Sequence, residues 1–215
     1  MSDENVIFAH IKSKDMEENK GKFIELLRST GREGVDHIIE VIEGLGFFTA
    51  PASTKFHLSN EGGLLQHSLN VCEMALGLRE LIIQKNPDLA SRLPKESVII
   101  ASLLHDVCKS DIYKETMKKQ KNKEGQWEEV KGYDVDHGQY PFGHGEKSVI
   151  LLLQNGLKLT NDEALAIRWH MQAWDLPFQS YDIKGNFNKA KEICPMVQLL
   201  IAADGLASQV LECKK

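Results

Sequence analysis

Apolar residues recur at helical spacing in Phe23 to Leu27, Val35 to Leu45, Leu64 to Ile83, Val98 to Val107, Val149 to Leu153, Ala164 to Trp169 and Val197 to Val210. The alternation that marks a half-buried strand is nearly absent, so the pattern predicts an all-α helical bundle. Punctuation agrees with it. Pro94 and Pro195 stand where a first helical residue would be, Gly156 follows an apolar run, and Thr160 with Glu163 has the spacing of a capping box. Between Asp111 and Gly143 the apolar rhythm stops and a charged stretch, KKQKNKEGQWEEVKGYDVD, takes its place. Its Glu124-Gly125 pair suits the turn of a short hairpin, so 111–143 reads as an insertion in the bundle.

Composition narrows the class. A chain of 215 residues with 42% hydrophobic residues can bury a full core, and no internal repeat or low-complexity linker marks a second domain, so one domain over 1–215 is expected. No run approaches the ~18 apolar residues that span a bilayer, and the start MSDENVIF is acidic, which predicts a soluble, cytoplasmic protein without a membrane partner. Cys72, Cys108, Cys194 and Cys213 form no CxxC pair and lie mostly in apolar surroundings, as reduced thiols do. The net charge of −5 argues against a long nucleic-acid partner and leaves a small molecule as the better expectation, with a local basic patch still able to bind a short phosphate-rich ligand. The five lysines from Lys114 to Lys123 read either as a solvated face or as contacts to substrate phosphates. No pattern sets an oligomeric state.

Histidines and aspartates at the ends or middles of apolar helices change this picture. They are His67 in GGLLQHSL, His105 and Asp106 in ASLLHDVCK, His144 in FGHGEKS, His170 in AIRWHM and Asp204 in LIAADGLAS. Burying an unpaired carboxylate among Leu103, Leu104, Ile201 and Ala202 costs several kcal/mol unless a cation or strong hydrogen bonds compensate. Imidazoles mixed with carboxylates suit a divalent transition metal better than calcium or a thiolate-rich structural zinc. Singly, each has an ordinary reading: a core histidine, an aspartate paired with an arginine, a helix-end residue between flexible glycines. Together they point to a metal site. Lys109, four positions after His105, would share its face on a continuing helix, as a substrate contact or a cation favouring the helix C-terminus. His10, His37, His57 and His137 lack such surroundings and read as ordinary.

The order His67, His105-Asp106, His144, His170, Asp204 resembles the six-ligand version of the HD superfamily of phosphohydrolases, over roughly Gly62 to Ser208. The resemblance implies a single HD-type domain, with 1–61 as N-terminal helices packed on a metal-binding core at 62–208. It implies two divalent ions, iron or manganese favoured and cobalt, nickel or zinc compatible. His67, His105, Asp106 and Asp204 would hold one, and Asp106 would bridge to a second held by His144 and His170. A hydroxide between the ions would attack phosphorus. Asp106 and Lys109 are then the catalytic residues, with Lys109 also binding substrate phosphate. The implied activity is hydrolysis of a phosphate ester of a nucleotide, dinucleotide or short oligonucleotide. Two other readings stay open: a mixed-valence di-iron oxygenase on a small phosphorylated or polyol substrate, and a non-catalytic nucleotide or metal sensor. Met171 after His170, and the absence of a Gly-Tyr-Pro signature in HGQYPFGHG, set the chain apart from the cyclic-dinucleotide phosphodiesterase branch.

Overall fold

The most apolar segment of the chain becomes its most enclosed helix. In α4 (Lys95–Leu104) every residue from Ser97 to Leu104 is buried, the mark of a helix with neighbours on all sides. Those neighbours are α1 (Asp3–Ser29), α3 (Gly63–Lys85), α6 (Asn161–Trp169) and α8 (Pro195–Leu206). The computed structural model describes residues 3–122, 124–137, 141–172 and 181–212, and their helices share one apolar core running from Phe23 to Ala207. Among them no single helix is long and apolar enough to cross a membrane.

Local chemistry explains most boundaries. In α2 (Val35–Gly44), Val35, Ile38, Ile39 and Ile42 lie on one face at helical spacing and are buried. α5 (His144–Gln154) ends where Gly156, at φ +78°, turns back so that the Gly156 and Leu157 amides donate to the Leu153 and Leu152 carbonyls. α6 opens with the expected capping box: Thr160 Oγ1 accepts from the Glu163 amide, and the Glu163 carboxylate accepts from the Thr160 amide. That buried carboxylate also takes two hydrogen bonds, at 2.7 and 2.6 Å, from Arg32, tying the loop after α1 to α6. α8 begins at Pro195 as expected, whereas Pro94 sits just outside α4 as its N-cap.

The insertion forms the anticipated hairpin, β1 (Tyr113–Lys121) paired antiparallel with β2 (Trp127–Val135), from Tyr113 opposite Val135 to Lys121 opposite Trp127. Asn122 closes its turn: Oδ1 accepts from the Glu124 and Gln126 amides, and Gly125 takes the left-handed conformation at φ +79°. Lys123, in the lysine run, and Cys213 lie outside the described residues; Cys72, Cys108 and Cys194 are buried free thiols.

Three helical boundaries depart from the periodicity. α1 extends far beyond Phe23 to Leu27, and Met16, Phe23, Ile24, Leu26 and Leu27 pack into or against the shared core. α7 (Tyr181–Ile193) is polar on most faces, and among its described side chains Ile183, Phe187 and Ala190 face the core. α4 stops at Leu104 instead of continuing through Val107: Asp106, at φ −107° and ψ 18°, leaves helical geometry, and Val107–Ser110 forms a 3₁₀ turn.

Candidate metal centre

Four packed elements each deliver a polar side chain to one buried point. His67 comes from the second turn of α3, His105 and Asp106 from the residues just beyond α4, His170 from the residue beyond α6, and Asp204 from α8. The three histidines and Asp106 are at most 2% exposed. Asp106 is the hub. Its Oδ2 lies 3.3 Å from His105 Nε2 and 3.6 Å from His67 Nε2, and its Oδ1 lies 3.3 Å from His170 Nε2. Asp204 Oδ1 approaches His67 Nε2 at 3.3 Å.

The far nitrogen of each ring decides what the near one offers. His105 Nδ1 donates to the Ser102 carbonyl at 2.8 Å and His170 Nδ1 to the Ile167 carbonyl at 2.7 Å. A carbonyl only accepts, so each Nδ1 carries the proton, and in the neutral rings Nε2 presents a lone pair. His67 Nδ1 meets the Glu212 carboxylate at 3.0 Å. His105 Nε2 and His67 Nε2 stand 3.3 Å apart, so two lone pairs converge once His67 gives up its second proton. Asp106 Oδ1 and His170 Nε2 are buried without a hydrogen-bond partner. Orphaned buried acceptors are costly, and a cation removes the cost. Ligand atoms of His67, His105 and Asp106, and of His105, His170 and Asp204, lie within 4.8 Å of one another, two groups sharing His105. The donor set thus fits divalent ions with mixed nitrogen and oxygen shells.

The charges at the centre are set by burial and by their neighbours. Burial opposes ionisation of Asp106, yet Lys109 and the neighbouring histidines hold its carboxyl well below the usual range. Burial likewise opposes charge on His67, but Asp204 and Glu212 raise it to about 9. His105 goes the other way, burial lowering it more than Asp106 raises it. Lys109 stays charged despite burial because Asp106 lies against it, Nζ to Oδ2 2.6 Å. The expected helical face is not how it arrives. The 3₁₀ turn after Asp106 brings Lys109, three residues on, to the carboxylate.

His144, half-buried as the first residue of α5, belongs to none of the three groups of converging ligand atoms, the third being His57, His67 and Glu212. Its helix is nonetheless held beside the centre. Ser148 Oγ accepts from the Cys108 amide at 3.3 Å, and a β-carbon on Gly145 would stand 2.2 Å from the Arg168 carbonyl oxygen, two residues before His170. Gly145 thus serves close helix packing. Beyond the 3₁₀ turn, a groove of about 250 Å³ opens between the loop Gly46 to Pro51 and the hairpin, lined by Ser110, Tyr113 and Tyr133 among others.

Two residues at the centre escape the sequence pattern. His57, read as ordinary, sits in the loop that hydrogen-bonds back over the start of α3, with its ring 5.0 Å from that of His67. Nothing periodic marks it. Glu212 follows a wide π-type turn, Ala207–Leu211, and its carboxylate is buried against His67. A carboxylate eight residues after Asp204, about two helical turns on, was the available signal.

The family model described as HD domain matches residues 64–209. The dihydroneopterin 2′,3′-cyclic phosphate phosphodiesterase of Methanocaldococcus jannaschii is 26% identical over 121 residues, 56% of this chain and 44% of that protein, so the chain spans less than half the length of this relative. No solved structure matches the chain.

Proposed function

The chain belongs to the HD domain family, and from that premise we propose that it is a metal-dependent phosphohydrolase acting on a phosphate ester of a nucleotide, dinucleotide or short oligonucleotide. The observation that carries the reading is the buried Asp106 carboxylate, faced by three imidazole Nε2 atoms and by the Lys109 ammonium. His67, His105, Asp106 and Asp204 would hold one ion, and Asp106 would bridge to a second held by His170 and His144. Bound divalent ions supply Lewis acidity and lower the pKa of water.

The chain's own residues do the rest. Asp106 orients both parts of the centre through its two oxygens. Lys109, kept protonated beside Asp106, is a fixed cation rather than a proton donor and meets charge growing on the phosphoryl oxygens. The groove of about 250 Å³ beyond Ser110, lined by Tyr113 and Tyr133, offers aromatic surface to a planar ring. The phosphodiesterase named among the relatives supports phosphate-ester chemistry.

The test is metal analysis of anaerobically purified protein, followed by a screen of mononucleotides, dinucleotides, short oligonucleotides and 2′,3′-cyclic phosphates with oxygen uptake monitored. Release of a phosphate product at two ions per chain is expected. Oxygen consumption without phosphate release would make the protein an oxygenase, and tight nucleotide binding without turnover would make it a sensor.

A further inference from the structure

The three histidines of the centre are oriented in two different ways. His105 and His170 each donate Nδ1–H to a carbonyl three residues earlier in their own helix, so α4 and α6 fix those rings locally. His67 has no such carbonyl. Its Nδ1 sits 3.0 and 3.1 Å from the two oxygens of Glu212, a residue 145 positions away. That carboxylate is itself held: Asn70 Nδ2 donates to Glu212 Oε1 at 2.9 Å, and Asn70 lies one turn after His67 on α3. His57 closes the other side, its ring against that of His67 and its Nε2 3.9 Å from Glu212 Oε2.

Glu212 reaches this place because the α8 helix widens after Asp204. The Glu212 amide donates to the Ala207 carbonyl at 3.0 Å, closing a π-type turn, a feature that recurs at functional sites. One continuous helical segment thus grips both nitrogens of one imidazole, Asp204 at Nε2 and Glu212 at Nδ1. The HD match ends at residue 209, before Glu212.

We propose that Glu212 is a positioning residue that fixes the tautomer and ring plane of His67 for metal binding, making the segment from Ala207 to Glu212 part of the metal centre. A carboxylate accepting from the outer nitrogen of a ligating histidine increases its basicity and holds its lone pair on the ion. The inference rests on the reading of His67 as a metal ligand.

The experiment measures cobalt(II) affinity by chelator competition, together with the visible absorption of the cobalt-loaded protein, for wild type, E212A and E212Q. E212A should bind about 10- to 100-fold more weakly with a changed cobalt spectrum, the usual cost of losing such a partner. E212Q, which keeps an oxygen acceptor for Nδ1–H, should fall between. In an H67A background E212A should cost nothing further. Unchanged affinity and spectrum in both variants, or an equal loss with and without His67, would overturn the positioning role. If E212A does not fold, E212Q and N70A carry the test, since each disturbs the same clamp with a smaller change. A wild-type chain that takes up no cobalt would instead overturn the metal-centre reading, and the inference with it.

Discussion

Lys109 Nζ and Asp106 Oδ2 stand 2.6 Å apart inside the protein, an ion pair 7% and 2% exposed at the point where α4 ends. Each charge is tolerable there because of the other, and the pair needs only one bound cation to be disturbed. Removing one member of such a pair leaves an uncompensated buried charge, a loss of ~3–5 kcal/mol. Lys109→Met should therefore lower the melting temperature of chelated protein sharply, and saturating metal should recover more of it than in wild type. Phosphohydrolysis should stay low even when the ions are bound, because the fixed cation facing the phosphoryl oxygens is gone. Calorimetry with and without metal, paired with phosphate release, checks both halves; wild-type activity in the variant would leave Lys109 a structural cation.

Asp106 and His144 should separate by stoichiometry. Asp106→Ala removes the carboxylate shared by both proposed positions and should abolish metal uptake and turnover together. His144→Ala should cost only the second ion, lowering metal content from about two per chain to about one. Elemental analysis of the two variants decides this. Two ions retained by Asp106→Ala would remove the bridging role, and an unaltered His144→Ala would return that residue to a helix start.

Stability should depend on pH in opposite directions with and without metal. His67 in the metal-free protein is raised from 6.5 to about 9, so its contribution is fully present below about 6.5 and fades as pH rises through about 9. Asp106 and Asp204 are depressed, so theirs is present above the usual carboxylate range and fades only in acid. Metal binding displaces the His67 proton and is favoured as pH rises. Melting curves in chelator and in excess manganese(II), from about pH 6 to about pH 9, should show the gap widening with pH. A constant gap would mean that His67 does not give up a proton to the ion.

Gly145→Ala tests the packing that carries His144. The new β-carbon would lie 2.2 Å from the Arg168 carbonyl oxygen and 2.7 Å from that of Ile167, both backbone atoms that yield only if α5 and α6 move apart. Overpacking of this kind costs ~1–3 kcal/mol. The variant should melt lower and hold less of the second ion, while Gly77→Ala, where a β-carbon meets nothing within 4 Å, should do neither. Differential scanning calorimetry and metal content are the measurements, and a Gly145→Ala protein as stable as wild type would contradict the observed helix approach.

The residues whose neighbours along the chain betray them were legible in the sequence. Apolar spacing located helices around Val35 to Leu45 and Leu64 to Ile83, and one over Val98 to Val107 that ends early at Leu104; the capping box opened α6, and Glu124-Gly125 lay in the turn of the hairpin. The ligand candidates stood out because His67, His105, Asp106 and Asp204 interrupt apolar runs that have no local reason to hold charge, a conflict a single helix cannot resolve. What lay beyond the sequence is set by contacts between distant segments. Nothing near residue 57 shows that it closes on His67, and the spacing of Glu212 from Asp204 becomes a contact only through the wide turn after α8; the docking of a loop before α3 decides the other. The existence of α7 likewise follows from packing on a core made elsewhere, since marginal helices take most of their stability from tertiary contact. The spacing from His105 singles out Lys109 on a helix that does not continue, and the break at Asp106 is a tertiary outcome: the geometry that brings the carboxylate to three imidazoles ends α4 and swings Lys109 onto it.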